Sequence, residues 1–152
     1  SLGVAHEVMP CDPALADTAA FCAAYGVAPE DSANAILVAG KAEPRSYAVC
    51  LLLATCRLDV NGTVRRRLGA RKVSFAGFDE TEEVTGMTVG GVTPFGLPRA
   101  LPVWIDVAVM ERETVVVGGG SRDRKLRLSP AGLLAIPGAE VVDGLARPVP
   151  ID

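Results

Sequence analysis

A short segment of glycine and proline has the strongest potential for chemistry in this sequence. Residues 90–96 read Gly-Gly-Val-Thr-Pro-Phe-Gly and lie between an acidic segment and an apolar one. Glycine lets another molecule approach the main chain, while Pro94 fixes its own φ and pushes Thr93 toward extended geometry. The pattern predicts a rigid loop with exposed N–H groups, suited to holding an anion or a polarised carbonyl. A tight connection between a helix and a strand has the same composition, and spacing alone does not separate the two interpretations.

A second glycine-rich segment follows Val117 and consists of Gly118, Gly119 and Gly120. A phosphate-binding loop of this kind should lead into a helix whose N-terminus meets the anion. Here residues 125–128 alternate Lys, Leu, Arg and Leu, which predicts a strand. We therefore expect a glycine-rich hairpin or bulge.

Side-chain nucleophiles and metal ligands are sparse. There is no G-x-S-x-G motif, and the only histidine, His6, lies next to the N-terminus, which argues against a Ser-His-Asp hydrolase. The four cysteines form no C-x-x-C pair, so a zinc site is poorly supported and we expect no metal or other cofactor. Cys22 and Cys50 lie in Ala-rich and apolar segments, which favours small buried side chains in a reducing cytoplasm.

Positive charge is concentrated in two clusters, although the net charge is −3. Their members are Arg65, Arg66, Arg67, Arg71 and Lys72, and then Arg122, Arg124, Lys125 and Arg127. Three consecutive arginines point in different directions around a helix, so a solvated surface is one interpretation. Contact with nucleic-acid phosphates is the other, because it depends on clustered guanidinium groups more than on net charge. An aromatic content of 5% argues against a stacking platform for single strands.

Length and composition indicate one globular domain. A chain of 152 residues can bury roughly 70% of its unfolded surface. Apolar residues make up 49% and charged residues 22%, which is typical of globular proteins. No apolar run reaches the ~18 residues needed to cross a bilayer, so we expect no membrane partner. Because Ser1 is not an initiator residue, we expect that the start of the chain was trimmed.

Apolar periodicity and turn residues predict alternating strands and helices. Strands are predicted at residues 4–9, 35–39, 47–54, 71–75, 103–107, 114–117, 125–128 and 139–142. Helices are predicted at residues 12–26, 59–69, 79–85 and 129–134, with a short helix or turn at 108–112 and a single helical turn at 29–32. The near-continuous apolar run at 47–54 predicts a strand buried on both faces. This order is typical of a single α/β or α+β domain with a mixed sheet, followed by a loose Pro-rich tail at residues 147–152.

These features together resemble one known family. The order of elements and the 90–96 segment are similar to the YbaK/prolyl-tRNA-synthetase-associated domain family of trans-editing aminoacyl-tRNA deacylases, over residues 4–145. The G-x-x-x-P signature of that family falls on Gly90 and Pro94. Residues 73–76, 85–86 and 101–106 and the glycines after Val117 also match. The resemblance implies an editing domain over residues 1–146, with a mixed, mostly antiparallel sheet that curls toward a barrel and has flanking helices.

The resemblance also implies a reaction, the hydrolysis of the ester that joins a wrong amino acid to the 3′-terminal adenosine of tRNA. An aminoacyl ester is already activated, so a positioned water and donors for the developing oxyanion can suffice without a protein nucleophile. Small pockets lined by glycine and alanine would favour a small amino acid. The implied partners are the acceptor end of an aminoacyl-tRNA and an aminoacyl-tRNA synthetase.

Three sets of residues are candidates under this resemblance. The catalytic candidates are Gly90, Gly91, Val92, Thr93, Pro94 and Asn34. The substrate-binding candidates are Phe95, Gly96, Asp106, Gly118, Gly119 and Gly120, with Asp106 expected either to fix loop N–H groups or to contact substrate. The candidates for contact with tRNA phosphates are Arg66, Arg67, Lys72, Arg122 and Arg124.

One position departs from the family pattern. Family members usually carry a lysine at the start of the central strand, and alignment of that strand places Asn34 there. Asparagine can donate a hydrogen bond but carries no charge. Lys41 is seven residues away, about 23 Å along an extended strand, so it cannot replace that lysine locally. Either Asn34 suffices, another cation such as Lys72 folds in, or the protein binds without efficient turnover.

Three functions therefore stay open from the sequence. The first is a free-standing deacylase for a mischarged tRNA. The second is a module that binds tRNA ends or aminoacyl-adenosine without hydrolysis, which the absence of the lysine suggests. The third is a small-molecule pocket on an inherited fold, since a fold does not fix function. The amino acid, the tRNA and the oligomeric state are not determined by these patterns.

Overall fold

The predicted strands form, and short helices connect them. The computed structural model describes residues 5–15, 18–41, 45–89, 91–97 and 101–149. The strands are β1 (Glu7–Pro10), β2 (Ala33–Gly40), β3 (Tyr47–Leu53), β4 (Cys56–Leu58), β5 (Val73–Phe75), β6 (Val103–Asp106), β7 (Val115–Gly118), β8 (Arg124–Leu128), β9 (Ala139–Val142) and β10 (Ala146–Pro148). The α-helices are α1 (Thr18–Tyr25), α2 (Arg65–Leu68), α3 (Phe78–Thr85) and α4 (Val107–Met110). Further 3-10 helices lie at Pro13–Leu15, Pro29–Asp31 and Pro130–Ala135, and a π-helical turn at Val60–Val64 leads into α2.

The central sheet has five strands in the order β5-β2-β3-β6-β9. β2 pairs antiparallel with β3 and β5, whereas the β3–β6 and β6–β9 pairs are parallel. A three-stranded antiparallel sheet, β1-β8-β7, and a two-stranded one, β10-β4, complete the pairing among the described residues. The mixed, mostly antiparallel α/β domain is therefore confirmed. The predicted curling toward a barrel is not confirmed.

The hydrophobic core lies on both faces of the central sheet. Leu37, Val49 and Ile105 belong to one buried cluster, which also takes in β7, β8 and the C-terminal part of α3. Val38, Cys50 and Trp104 belong to the other, which is covered by the π-helical turn and the segment leading into β10. Because β3 contributes to both clusters, its burial on two faces is confirmed.

Several helix ends follow the predicted capping chemistry. The Asp12 carboxylate accepts a hydrogen bond from Ala14 N–H at 3.0 Å and begins the first 3-10 turn. The Asp59 carboxylate accepts one from Thr63 N–H at 3.2 Å. The predicted start at Ser129 is different, because the Ser129 side chain makes no capping bond and the helix at Pro130–Ala135 is of the 3-10 type. The helix predicted at 12–26 consists of a 3-10 turn and α1.

The C-terminal segment corrects another prediction. Arg147 and Pro148 lie in β10 and pair with β4, and Val149 N–H donates to Thr55 O at 2.9 Å. A loose tail beginning at residue 147 is therefore wrong, and the predicted boundary after residue 146 falls inside a strand. Proline is tolerated at the end of such an edge pair, so composition alone could not show the pairing.

Asp106 ends β6 and connects it to two neighbouring elements. Its side chain is 2% exposed. One carboxylate oxygen accepts from Ala108 N–H at 3.3 Å and caps α4, and the other accepts from Ala146 N–H at 3.0 Å at the start of β10. The N–H groups that Asp106 is seen to fix belong to α4 and β10 and not, as was expected, to the 91–97 loop, and contact with substrate stays a prediction. None of the helices in the described part of the chain has the length and hydrophobicity required to cross a bilayer.

We expect Asp106→Ala to lower the free energy of unfolding by about 1–3 kcal/mol, because it leaves the buried N–H of Ala146 and the partly buried N–H of Ala108 without their acceptor. Asp106→Asn should cost less, since one acceptor oxygen stays in place. Urea denaturation followed by circular dichroism measures both. Asp143→Ala, which removes an exposed carboxylate from the turn before β10, is the matched control. Equal stability of the Asp106→Ala and Asp143→Ala variants would contradict this account of Asp106.

Candidate functional site

The loop at residues 91–97 packs against the turn that joins β7 to β8. Gly90 lies outside the described residues, so its predicted role stays a prediction. Gly91 O accepts a hydrogen bond from Gly120 N–H at 2.9 Å, and Gly91 N–H donates to Thr88 O at 2.9 Å. Gly91, Val92, Thr93 and Pro94 are buried, whereas Gly96 is exposed and has a φ of +65°. Main-chain hydrogen bonds from Gly91 to Thr88 and to Gly120 therefore hold the start of the loop in place.

Close main-chain approach explains why glycines recur in both segments. A Cβ on Gly118 would overlap the carbonyl oxygen of Val92, and a Cβ on Gly91 would lie 2.8 Å from the carbonyl carbon of Ser121. Any side chain at these positions would push the loop and the turn apart. The structure thus brings together the two glycine-rich segments that the sequence singled out, and it confirms the predicted glycine-rich hairpin between β7 and β8.

The N–H groups of the loop are not equally available. Gly91 N–H is bonded to Thr88, Phe95 N–H donates to Thr93 Oγ1 at 3.4 Å, and proline has no N–H to donate. Among the described residues, no acceptor is paired with the N–H groups of Val92 and Thr93. Among the described residues of the loop, Val92 N–H and Thr93 N–H are therefore the candidates for hydrogen-bond donors to a ligand.

A cavity of about 350 Å³ lies beside Val92, and we call it the edge cavity. Its described lining comes from β2, from the segment that joins β5 to α3, from α3 and from the loop: Ala35, Ile36, Leu37, Phe75, Ala76, Gly77, Phe78, Thr81, Val89 and Val92. The lining is almost entirely apolar. The volume falls in the range of about 300–1,000 Å³ that small-molecule sites occupy.

The edge cavity exists because β5 separates from β2. The two strands pair only at Val38, Ala39 and Gly40, and Ala76 N–H donates to Leu37 O at 2.9 Å as the chain turns into α3. Main-chain groups of successive strand residues point to opposite edges, so those of Ala35 point to the same edge as Leu37 O. A short stretch of strand edge therefore faces the cavity, with donors and acceptors but no charge.

Side-chain nucleophiles are poorly suited to this site. Burial raises the pKa of the Cys50 thiol to about 12, and it also raises the pKa values of Cys11, Cys22 and Cys56. All four cysteines are free, and Cys22 and Cys50 are buried as predicted. The described part of the chain contains no cluster of three or more His, Cys, Asp or Glu residues that could hold a metal ion.

Comparison with known proteins identifies the family. The family model for the aminoacyl-tRNA editing domain matches residues 12–136, which include the loop, the β7–β8 turn and the edge cavity. The chain belongs to this family. The resemblance inferred from the 90–96 segment is therefore confirmed.

Relatives of this editing domain include an uncharacterized protein and part of a synthetase. YwhH of Bacillus subtilis (strain 168), an uncharacterized protein, is 32% identical over 85 residues, which are 56% of this chain and 54% of YwhH. The proline–tRNA ligase of Bacillus licheniformis is 30% identical over 115 residues, which are 75% of this chain and 19% of the ligase. This chain thus matches about half of the first relative and about a fifth of the second.

A solved structure supports the fold of the editing domain. A crystal structure of a protein named as a candidate trans-editing enzyme for prolyl tRNA synthetase superimposes with a TM-score of 0.79 and 27% identity. The superposition covers 91% of this chain and 85% of that protein. The described architecture is therefore that of a trans-editing fold.

Asn34, the residue expected at the position of the family lysine, lies in β2 directly opposite Leu52 and is half-buried. Strand alternation puts its side chain on the same face as Val38 and Leu52, whereas Phe95 and Leu97 pack against the cluster of Leu37 on the other face. Asn34 is next to Ala35 but is not among the described residues that line the edge cavity. Its catalytic role stays a prediction.

Two of the arginines proposed for tRNA lie away from the edge cavity. Arg67 is 5.0 Å from the centre of the Trp104 ring and forms an ion pair with Glu140, on the side of the central sheet that α2 covers. Arg66 precedes it on α2 and is exposed, with a 3.5 Å bond to Thr63 Oγ1. Both therefore lie across the sheet from the loop.

The other proposed cations lie nearer to the loop. Arg122 donates to Val89 O and to Pro13 O, each at 3.1 Å, so its guanidinium supports the wall of the edge cavity. Arg124 is exposed and paired with Asp123 at 3.3 Å. Lys72 is exposed at the start of β5. The positions of Lys72 and Arg124 are compatible with phosphate contact, whereas Arg122 already serves the protein main chain.

Sequence patterns missed the residues that fix the α3 wall. Tyr47 Oη donates to Glu80 Oε2 at 2.7 Å, and Arg45 forms an ion pair with the same carboxylate at 2.7 Å. The hydrogen bond to Glu80 raises the pKa of Tyr47. These contacts attach α3 to β3 and to the chain before it. Glu80 is 33 positions from Tyr47 and 35 positions from Arg45, so no local spacing could have shown these contacts.

We expect Gly118→Ala to lower the free energy of unfolding by about 1–3 kcal/mol, because the added methyl group would overlap the Val92 carbonyl. Gly77→Ala is the matched control, since a Cβ there meets nothing within 4 Å and its φ is −68°. The control should be neutral or slightly stabilising. Urea denaturation measures both variants. If Gly118→Ala proves as stable as Gly77→Ala, the loop is not held against the turn as described.

Proposed function

We propose that this editing domain hydrolyses the ester bond of a mischarged aminoacyl-tRNA that carries a small amino acid, acting in trans. The observation that carries the proposal is the edge cavity, which Val92 lines. The adjacent N–H groups of Val92 and Thr93, which have no acceptor among the described residues, support it. Membership in the aminoacyl-tRNA editing domain family supports the class of substrate.

The reaction needs donors and a water rather than a nucleophilic side chain. The ester carbonyl accepts hydrogen bonds from Val92 N–H and Thr93 N–H, which stabilises the negative charge that develops on its oxygen. Water forms a bond to the carbonyl carbon, and collapse of the tetrahedral intermediate breaks the bond from that carbon to the ribose oxygen. The ribose oxygen takes up the proton that the water loses, and the neighbouring ribose hydroxyl helps to position the water.

The choice of a small amino acid is supported by part of the cavity lining. Ala35, Ala76 and Gly77 present small side chains next to the strand edge. Such a pocket rejects a smaller analogue by only about 1–3 kcal/mol per methylene, so the tRNA must contribute to selection. The proline–tRNA ligase among the relatives makes a tRNA for proline the first candidate.

The direct test is a panel of mischarged tRNAs for proline, carrying glycine, alanine, serine or cysteine, each mixed with the purified protein. We expect at least one ester to be hydrolysed well above its uncatalysed rate, with correctly charged prolyl-tRNA as the control. Release of the labelled amino acid from the tRNA is the measurement. If no ester in the panel is hydrolysed faster than in buffer, the enzymatic proposal is wrong.

A second candidate function is a module that binds tRNA ends without turnover, and the neutral Asn34 favours it. Asn34→Lys separates the two candidates, with Asn61→Lys as the matched control because Asn61 is exposed on the π-helical turn, far along the chain from the loop. For a deacylase, we expect the unmodified protein to hydrolyse ester and Asn34→Lys to change the rate more than Asn61→Lys does. Salt-sensitive tRNA binding without hydrolysis in the unmodified protein would instead establish the binding module.

A further inference from the structure

The edge cavity is larger than a small amino acid requires. A side chain of one to three heavy atoms fills less than roughly 100 Å³, if each heavy atom is given about the 30 Å³ share of a water molecule. The cavity measures about 350 Å³. Most of its volume therefore remains for another part of the ligand, and the adjacent part of an aminoacyl-tRNA is its terminal nucleoside.

Two exposed phenylalanines border this remaining volume. Phe75 is 54% exposed and Phe78 is 75% exposed, and both line the edge cavity. Phe75 ends the edge strand β5, and Phe78 is the first residue of α3, with only Ala76 and Gly77 between them. Large aromatic side chains are usually buried, so two exposed rings at the rim of one cavity indicate a surface for a ligand with a flat apolar face.

The charges around the rim indicate from which side a polyanion can approach. Asp79, Glu82 and Glu83 are exposed on α3 and would repel phosphates. Lys72 precedes β5, about 10 Å along the strand from Phe75, and Lys41 N–H donates to Lys72 O at 3.0 Å. With the neighbouring Arg71, these exposed cations line the far end of the β5 edge. A nucleic-acid strand would therefore run along β5 and not across α3.

We propose that Phe75 and Phe78 form a stacking site for the unpaired 3′-terminal base of tRNA, with the preceding phosphates lying toward Lys72, Arg71 and Lys41. This inference rests on the proposed function for its ligand, because it assigns the part of the same substrate that the amino-acid pocket leaves outside. Stacking tolerates any base, since every base has a flat π face, and here it anchors the ester beside Val92. A low aromatic content argued against such a platform in the sequence, but content does not show that two of the four phenylalanines share one rim.

The test uses uncharged acceptor-stem minihelices, one with the complete single-stranded CCA end and one that lacks the terminal A. Binding to each is measured by fluorescence anisotropy at one fixed salt concentration. We expect the complete end to bind about 5- to 150-fold more tightly, the range that corresponds to stacking of one base. Phe78→Leu and Phe75→Leu should each reduce this preference, whereas Phe78→Trp should retain it because the larger ring still stacks.

Leu134→Ala is the matched control, because Leu134 is also 54% exposed and lies on the 3-10 helix Pro130–Ala135, outside the described cavity lining. It should leave the preference unchanged. Equal binding of both minihelices by the unmodified protein, no binding of either, or a preference that survives in both leucine variants would each overturn the stacking site. Because both rings are exposed, we expect the leucine variants to fold as the unmodified protein does, and circular dichroism of each variant verifies this.

The same variants separate this inference from the proposed function. If the protein deacylates mischarged tRNA, we expect the leucine variants to raise KM with little change in kcat, because the contact is present in both ground and transition states. A protein that prefers the complete end through these rings but hydrolyses no ester keeps the stacking site and loses the enzymatic proposal. A protein that hydrolyses ester with unchanged KM in both leucine variants keeps the enzymatic proposal and loses the stacking site.

Discussion

The candidate site depends on a direct contact between two main-chain segments, with no side chain between them. Gly118, the last residue of β7, lies against Val92 of the 91–97 loop, and in the turn that follows Gly120 N–H donates to Gly91 O. This contact fixes the direction of the loop beside the exposed edge of β2. Backbone groups held in this way do not need to reorganise when charge develops, which is the condition under which hydrogen-bond donors contribute most to catalysis. The same glycine contacts therefore pack the loop rigidly and, on the proposed mechanism, hold its N–H groups ready to act as donors.

The edge cavity depends on a second constraint, the early end of the ladder between β2 and β5. If β5 continued to pair with β2 beyond Val38, its main chain would fill the space that the cavity occupies. The chain instead turns through Ala76 and Gly77 into α3, and the contacts of Glu80 with Tyr47 and Arg45 hold that helix in position. A ligand in the cavity could thus form hydrogen bonds with the edge of β2 that β5 leaves unpaired. The main-chain N–H and C=O groups that would otherwise pair with β5 are thus the polar groups of an otherwise apolar pocket.

Local patterns predicted the elements well because their signals are local. Short apolar runs defined β2 and β3, glycines ended α2 and α3, and Asp59 began the π-helical turn where a cap was expected. Long-range pairing was not predictable in the same way. The pairing of β10 with β4, the bond from Ala146 N–H to Asp106 and the exposure of Phe75 and Phe78 each depend on residues far apart in the chain. The glycines of the site were found because close approach requires glycine, whereas no local rule indicates which phenylalanine faces solvent.

The expected replacement of a family lysine by Asn34 would change how the site handles charge. Arg122 donates to main-chain carbonyls and Arg45 is paired with Glu80, so both cations next to the described cavity wall are already engaged. On the proposed mechanism, stabilisation of the oxyanion then falls to the dipoles of the Val92 and Thr93 N–H groups, which act more strongly in an apolar surrounding than in water. A neutral Asn34 also removes a repulsion, because the α-amino group of an aminoacyl ester carries positive charge when protonated. On the proposed mechanism, weaker attraction for the oxyanion and weaker repulsion of the amino group oppose each other, so a neutral Asn34 is compatible with the proposed hydrolysis.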